Sequence, residues 1–387
     1  MKRIGLFLLF AWLISACTSQ YTCTDTLGCV TVKPGEPIRI GVALTLSGPD
    51  ASYGIDALRG VEIAIADKGK VSGHPIEPIK EDDQCEPQAG EEAAKRLAAN
   101  PTIVGVIGET CSGGSIPAAR ILSEAGMVLI SPSSTAPSLT DPQTRQPGFF
   151  RTIYNDRVQG TIAADFLYNA LGLRTLATLH DGSPYSDQLQ QAACKAFQEL
   201  GGECIAQIRI QSGGDVKGVI ERLAKIKPEA LYYPLYTVDG VAITRGIFEA
   251  GLTHVALVSA DGLLSNDFIR QTTPASNGMY LSGPAVPKYD PAFLQKYVQR
   301  YGEQPIATYN APAYDAAMML FAAIEKVAVD QNGTLYIPRQ ALREAIAATK
   351  NFKGLSGVLT CSPYGDCGSP SVQIYQVRGQ EFVPIYP

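Results

Sequence analysis

The chain has 387 residues, 45% hydrophobic and 18% charged, with a formal net charge of −5. That is enough chain for two ordinary domains, and the globular composition excludes a disordered or collagen-like molecule. The acidic balance argues against a phosphate backbone as partner, so no nucleic acid is expected, and three scattered histidines (His74, His180, His254) cannot build a His-rich metal cluster.

Residues 1–16 read as a secretion signal. Lys2 and Arg3 give a positive start, and the apolar stretch over 6–14 is too short to span a bilayer as a final anchor. Ile14-Ser15-Ala16-Cys17 resembles the lipobox of bacterial lipoproteins. The resemblance implies cleavage before Cys17, lipidation of that thiol, and an exported protein held at the membrane facing periplasm or cell exterior. The other reading is an ordinary cleaved signal with a chance cysteine. Eight cysteines remain besides Cys17, an even number with no CxxC pair, which favours four disulfides in an oxidising compartment. Short spacings suggest Cys23–Cys29, Cys194–Cys204 and Cys361–Cys367, leaving Cys85–Cys111. Eight cysteines allow on the order of a hundred pairings, so spacing alone does not settle the connectivity.

Residues 17–36 are rich in Thr, Gly and small polar groups and read as a tether, with a small loop closed by Cys23 and Cys29. From Pro37 the pattern changes. Strands are expected at 38–44, 75–80, 103–107 and 127–130, and helices around 58–65, 88–99 and 116–125. The alternation restarts after Phe150: helices at 157–171, 187–200, 216–225 and 239–250, and strands at 174–179, 205–210, 230–233 and 255–259. Strands alternating with helices imply parallel βαβ units covered on both faces. The tail differs, with helices at 291–302, 311–327 and 339–348, then strands near 354–359, 372–375 and 382–385. A chain that crosses between two lobes more than once would account for it.

Catalytic motifs are missing. There is no GxSxG, HExxH, GxxxxGK[ST], or GxGxxG opening a helix. Asp82-Asp83 could serve as acid and base or as metal ligands, but acids at a strand end more often meet solvent or a helix N-terminus. His180-Asp181 with Ser183 invites a hydrolase reading, yet a triad needs spatial neighbours, and nothing in the sequence activates the serine. Binding chemistry is present instead. Residues 107–115 run from a buried strand into a helix and place Ser112 near free backbone N–H groups, a place that favours a carboxylate. The next strand ends in Ser131-Pro132-Ser133-Ser134-Thr135, another dense set of hydroxyls. Helix capping is the bland use of such residues, and it is compatible with ligand binding.

These segments, in order, resemble the branched-chain amino-acid solute-binding proteins of ABC importers, which have the type I periplasmic binding fold. The matching pieces are 40–49, Tyr53-Gly54, Arg59-Gly60, Asp82-Asp83-Gln84-Cys85, 107–112, 129–135, 181–185, Ala260-Asp261-Gly262, Tyr314-Asp315-Ala316-Ala317 and 352–357. The resemblance implies two Rossmann-like α/β lobes with parallel sheets, joined by a three-strand hinge. Residues 37–153 and 284–351 would form the first lobe, and 154–283 and 352–387 the second. It also implies a Cys85–Cys111 disulfide beside the site. Ser112, Ser133 and Thr135 would hold an amino acid's carboxylate and help hold its ammonium. Asp261 would face the ammonium from the other lobe, and Tyr53, Tyr185 and Tyr236 would close over the side chain. Asp261 stands where close amino-acid binders often carry Glu, and Ser133 where a small apolar residue is common, so amides, urea and aromatic acids remain candidate ligands beside branched-chain amino acids. The expected partners are that small solute, ABC permease subunits and, through the lipid, the membrane; no reaction and no cofactor are expected. The rival readings are a sensor of the same fold feeding a signalling partner, and the hydrolase that would use His180 and Ser183.

Overall fold

The computed structural model describes residues 21–285 and 291–387, so the expected leader and Cys17 lie outside the described residues. Two sheets organise the chain. The first has the order Lys70–Val71, His74–Asp82, Ile38–Leu44, Ile103–Gly108, Leu129–Ser131, Phe149–Arg151. All its pairings are parallel except that of the short first strand. Ile38–Leu44 lies near its middle, with Val42 opposite Lys80 on one side and Ile107 on the other. Its near-continuous apolar run follows from being covered twice. Helices Ala51–Lys68 and Asn310–Val327 bury Ala57, Val61, Ala316 and Leu320 against one face. Helices Pro87–Ala98 and Ser112–Glu124 bury Ala94, Leu97, Ala119 and Leu122 against the other.

The second sheet has the order Glu381–Tyr386, Val372–Arg378, Tyr280–Pro284, Ala256–Ser259, Ala230–Tyr232, Thr175–His180, Glu203–Arg209. The five strands from Tyr280–Pro284 onward are parallel. The two from the end of the chain are antiparallel, because Val372–Arg378 enters from the opposite direction and turns back through Gly379. Helices Asp156–Asp165 and Pro184–Glu199 cover one face, and Lys217–Ile226, Thr237–Glu249 and Asn266–Thr272 the other. The two sheets with their helices are two lobes of a type I periplasmic binding fold.

The chain passes between lobes through 152–155, after Pro284, and through 368–371. The last passage corrects the boundary expected at 351/352. Phe352, Cys361 and Cys367 pack on the first lobe's core, so the chain changes lobe only after Cys367. The expected tether is corrected as well. Cys29–Val32 is a strand paired antiparallel with Thr334–Pro338, and Val30 and Val32 are buried in the same core. Its four residues alternate inward and outward, a signal too short to stand out among polar neighbours. The strands Phe149–Arg151 and Tyr280–Pro284 and the helix Asn266–Thr272 also lie outside the expected elements. All four expected disulfides are formed: Cys23–Cys29, Cys85–Cys111, Cys194–Cys204 and Cys361–Cys367.

Candidate functional site

Parallel strands bring their carboxyl ends, and the N-termini of the helices that follow, to one edge of a sheet. The two lobes turn these edges toward each other. A narrow cavity of about 20 Å³ lies between them, walled by Tyr53, Thr110, Cys111, Ser112, Ser133, Tyr185, Tyr236, Asp261, Gly262 and Tyr309. Six of the seven residues expected to bind ligand are in this wall. The seventh, Thr135, is buried just outside it.

The first lobe contributes hydroxyls on two turns. Ser112 opens the helix that follows Ile103–Gly108, and its Oγ accepts from the Ala136 N–H at 3.1 Å, tying the first turn to the second. Ser133 Oγ donates to the Thr110 carbonyl at 2.7 Å, and Ser131 Oγ donates to the Glu109 carbonyl at 2.7 Å. The Cys85–Cys111 bridge, with Cα atoms 5.1 Å apart, fixes the same turn from the side. Thr135 differs: its buried Oγ1 makes no hydrogen bond.

The second lobe contributes an acid among phenols. Asp261 follows the strand Ala256–Ser259 and is fully enclosed. Its Oδ1 accepts from Tyr185 Oη at 2.7 Å and Gln159 Nε2 at 3.0 Å, and its Oδ2 from Tyr309 Oη at 3.1 Å and Tyr154 Oη at 3.4 Å. Burial pushes its pKa up, against the opposing pull of these donors. Gly262 has to be glycine here: a Cβ would stand 2.7 Å from the Leu235 carbonyl and 3.0 Å from the Tyr185 hydroxyl, to which Gly262 N–H donates. Asp156, at the start of helix Asp156–Asp165, is a second enclosed acid near by. Neither of its oxygens is hydrogen-bonded; burial, then the charge of Asp261, push its pKa well up, while the neighbouring Thr135 hydroxyl pulls it down.

Bonds cross the gap between lobes. Tyr53 Oη donates to the Gly262 carbonyl at 2.6 Å, Thr237 N–H donates to Asp50 Oδ1 at 3.1 Å, and Gln188 pairs with Ser138 twice at 2.9 Å. The lobes are therefore closed on each other. Edge-to-face packing of Tyr53 on Tyr309, with centroids 5.8 Å apart, and the tilted Tyr185–Tyr236 pair at 5.1 Å form aromatic walls.

Sequence reading missed Tyr309, Tyr154, Gln159, Thr110 and Asp156. Tyr309 ends an irregular stretch before the helix Asn310–Val327, where no periodic pattern marks it. The other candidates have structural partners. Asp83 is buried and accepts from Thr45 Oγ1, Thr110 N–H and Cys85 N–H, while Asp82 accepts from Leu46 N–H, Ser47 Oγ and Gln84 N–H. Both carboxylates hold turns together. Ser183 caps helix Pro184–Glu199 by accepting from Ser186 N–H, and His180 Nδ1 lies 3.3 Å from Asp187. The serine is thus a helix cap, and the imidazole faces a different residue.

The periplasmic binding protein family model matches residues 37–381. An amino acid binding protein of Pseudomonas aeruginosa is 28% identical over 302 residues, covering 76% of this chain and 78% of the relative. The Leu/Ile/Val-binding protein homolog 1 of Brucella suis is 28% identical over 345 residues, covering 88% and 90%. Among solved structures, a leucine binding protein from Thermotoga maritima superposes with a TM-score of 0.82 at 27% identity, covering 90% of this chain and 97% of that one.

Proposed function

The chain belongs to the periplasmic binding protein family, and from that premise we propose that it captures a small amino-acid-like solute outside the cytoplasm and delivers it to an ABC permease. A branched-chain amino acid is the favoured solute, because relatives carry Leu/Ile/Val-binding and leucine-binding names. In this reading Ser112, Ser133 and Thr135 receive the α-carboxylate and Asp261 receives the ammonium. Tyr53, Tyr185, Tyr236 and Tyr309 close over the side chain, and Cys17 carries the lipid that keeps the protein beside its permease.

The observation that carries the reading is the pairing across the cavity: Ser112 and Ser133 on one wall, Asp261 on the other. A zwitterion leaving water needs donors at one end and an anion at the other, or its burial costs several kcal/mol, about 2–7 for each unmatched polar group. With the two poles on different lobes, the solute itself bridges the gap and favours the closed form. Asp261 already shares its oxygens with phenols and an amide, so an incoming ammonium replaces or joins donors instead of neutralising a bare charge.

Calorimetric titration of the mature chain with the twenty amino acids tests the reading. Saturable one-to-one binding of at least one of them, with a smaller radius of gyration by X-ray scattering on saturation, is expected. Absence of binding across the whole panel refutes it.

A further inference from the structure

Behind the hydroxyl-rich turn of the first lobe lies a guanidinium with no exposed surface. Arg151 ends the edge strand Phe149–Arg151, immediately before the first passage between lobes. Its Nη1 donates to the Ser134 carbonyl at 3.1 Å and the Ala136 carbonyl at 3.0 Å, and its Nη2 donates to Thr140 Oγ1. The two carbonyls flank Thr135. The peptide whose carbonyl is Ser134's also carries the Thr135 N–H, so a cation on one end of that peptide strengthens the other end as a donor.

The fourth contact anchors the group. Arg151 Nε donates to Asp366 Oδ1 at 2.6 Å, and Thr140 Oγ1 donates to the same oxygen at 3.0 Å. Asp366 sits in the loop closed by Cys361–Cys367, and this loop clasps the Arg151 backbone from both sides: Arg151 N–H donates to the Gly365 carbonyl at 3.0 Å and Cys367 N–H to the Arg151 carbonyl at 2.9 Å. The loop leads directly into the third passage between lobes at 368–371.

We propose that Arg151 is a positioning residue for the carboxylate pole of the site, holding the 133–136 turn from behind while Asp366 holds Arg151. Resting on the solute-capture reading above, this assigns specificity for an α-carboxylate partly to an ion pair that never touches the ligand. It also places that pair where two of the passages between lobes meet.

The test uses the full mature chain with Asp366→Asn, which keeps the loop's shape and leaves the buried arginine in place, and Arg151→Lys as the second variant. Amide hydrogen exchange is compared at 133–136 and at 110–112. Binding is compared for the best amino acid of the twenty and for its carboxamide. The expected result is faster exchange at 133–136 alone, with affinity for the acid falling about tenfold and for the carboxamide about threefold or less. Equal losses on acid and amide, or unchanged exchange at 133–136, overturn the proposal. If no amino acid binds the unaltered chain, the solute-capture reading fails, and the exchange comparison alone decides the role of Arg151.

Discussion

The two poles of the cleft are built on different plans. On the first lobe, Ser112, Ser131 and Ser133 spend their hydroxyls on the backbone of Ala136, Glu109 and Thr110, so the turns keep one shape whether or not anything occupies the cavity. On the second lobe, Asp261 gathers side-chain donors, and one of them, Tyr309, reaches over from the first lobe. A carboxylate is met by a pre-set frame; an ammonium is met by a carboxylate that must exchange partners. The first plan costs little reorganisation on binding, and the second couples binding to closure.

Removing the acid should produce the largest effect. Asp261→Ala leaves a buried ammonium without an anion and should weaken amino-acid binding by about 3 kcal/mol, more than a hundredfold in calorimetry. Asp261→Asn keeps the volume and separates loss of charge from loss of packing. Unchanged affinity in both would dissolve the contrast between poles.

The next effect concerns how Tyr309 is placed. Asp56, enclosed in helix Ala51–Lys68, accepts from Tyr309 N–H at 2.9 Å, Asn310 N–H at 2.8 Å, Asn310 Nδ2 at 2.9 Å and Tyr297 Oη at 2.9 Å. Burial outweighs these donors and raises its pKa to about 6. The folded state therefore holds the proton more tightly than the unfolded state. This group's contribution is most favourable below the unfolded value near 4 and is lost as the pH rises through 6, a swing of about 3 kcal/mol. In Asp56→Asn, the rise in thermal stability between pH 7 and pH 5 should shrink, as read by scanning calorimetry. Asp315, also raised to about 6, keeps part of it.

The asymmetry between poles also explains what could be read from residue order alone. Serine-rich turns after buried strands have a local signature, since strand, turn and helix N-terminus are contiguous, and Ser112 and Ser133 were legible for that reason. The strands 38–44 and 103–107 were legible because a doubly covered strand is an unbroken apolar run. Asp261 and the tyrosines were placed by resemblance, because their meeting is long-range: Tyr309 and Asp261 are 48 residues apart in the chain and belong to different lobes. Arg151 and Asp366, 215 residues apart, left no local trace at all. The misplaced third passage has the same origin. The stretch 354–359 reads as a strand, and only the docking of the residues around it on the first lobe's core, through Phe352, Cys361 and Cys367, decides where it belongs.

A smaller change probes whether the first pole is as pre-set as its hydrogen bonds imply. Thr135 Oγ1 is buried beside the Asp156 carboxyl and makes no hydrogen bond, unlike the serines around it. Thr135→Val keeps the shape and removes only the hydroxyl. If that hydroxyl waits for ligand, binding should weaken by about 1 kcal/mol while the melting temperature of the ligand-free chain holds or rises slightly, since a desolvated group without a bond is lost. A fall in melting temperature with unchanged affinity would make Thr135 part of the frame.

The smallest expected change separates cap from catalyst. Ser183 Oγ accepts from Ser186 N–H at 3.3 Å at the start of the helix that carries Tyr185. Ser183→Ala should cost about 0.5–1 kcal/mol in thermal unfolding, as loss of a helix cap does. Tyr185 is anchored separately, through Asp261 and Gly262 N–H, so ligand affinity should stay within about twofold. A larger loss of affinity would mean that the second pole depends on its helix cap as firmly as the first depends on its serines, and the two plans would then be one.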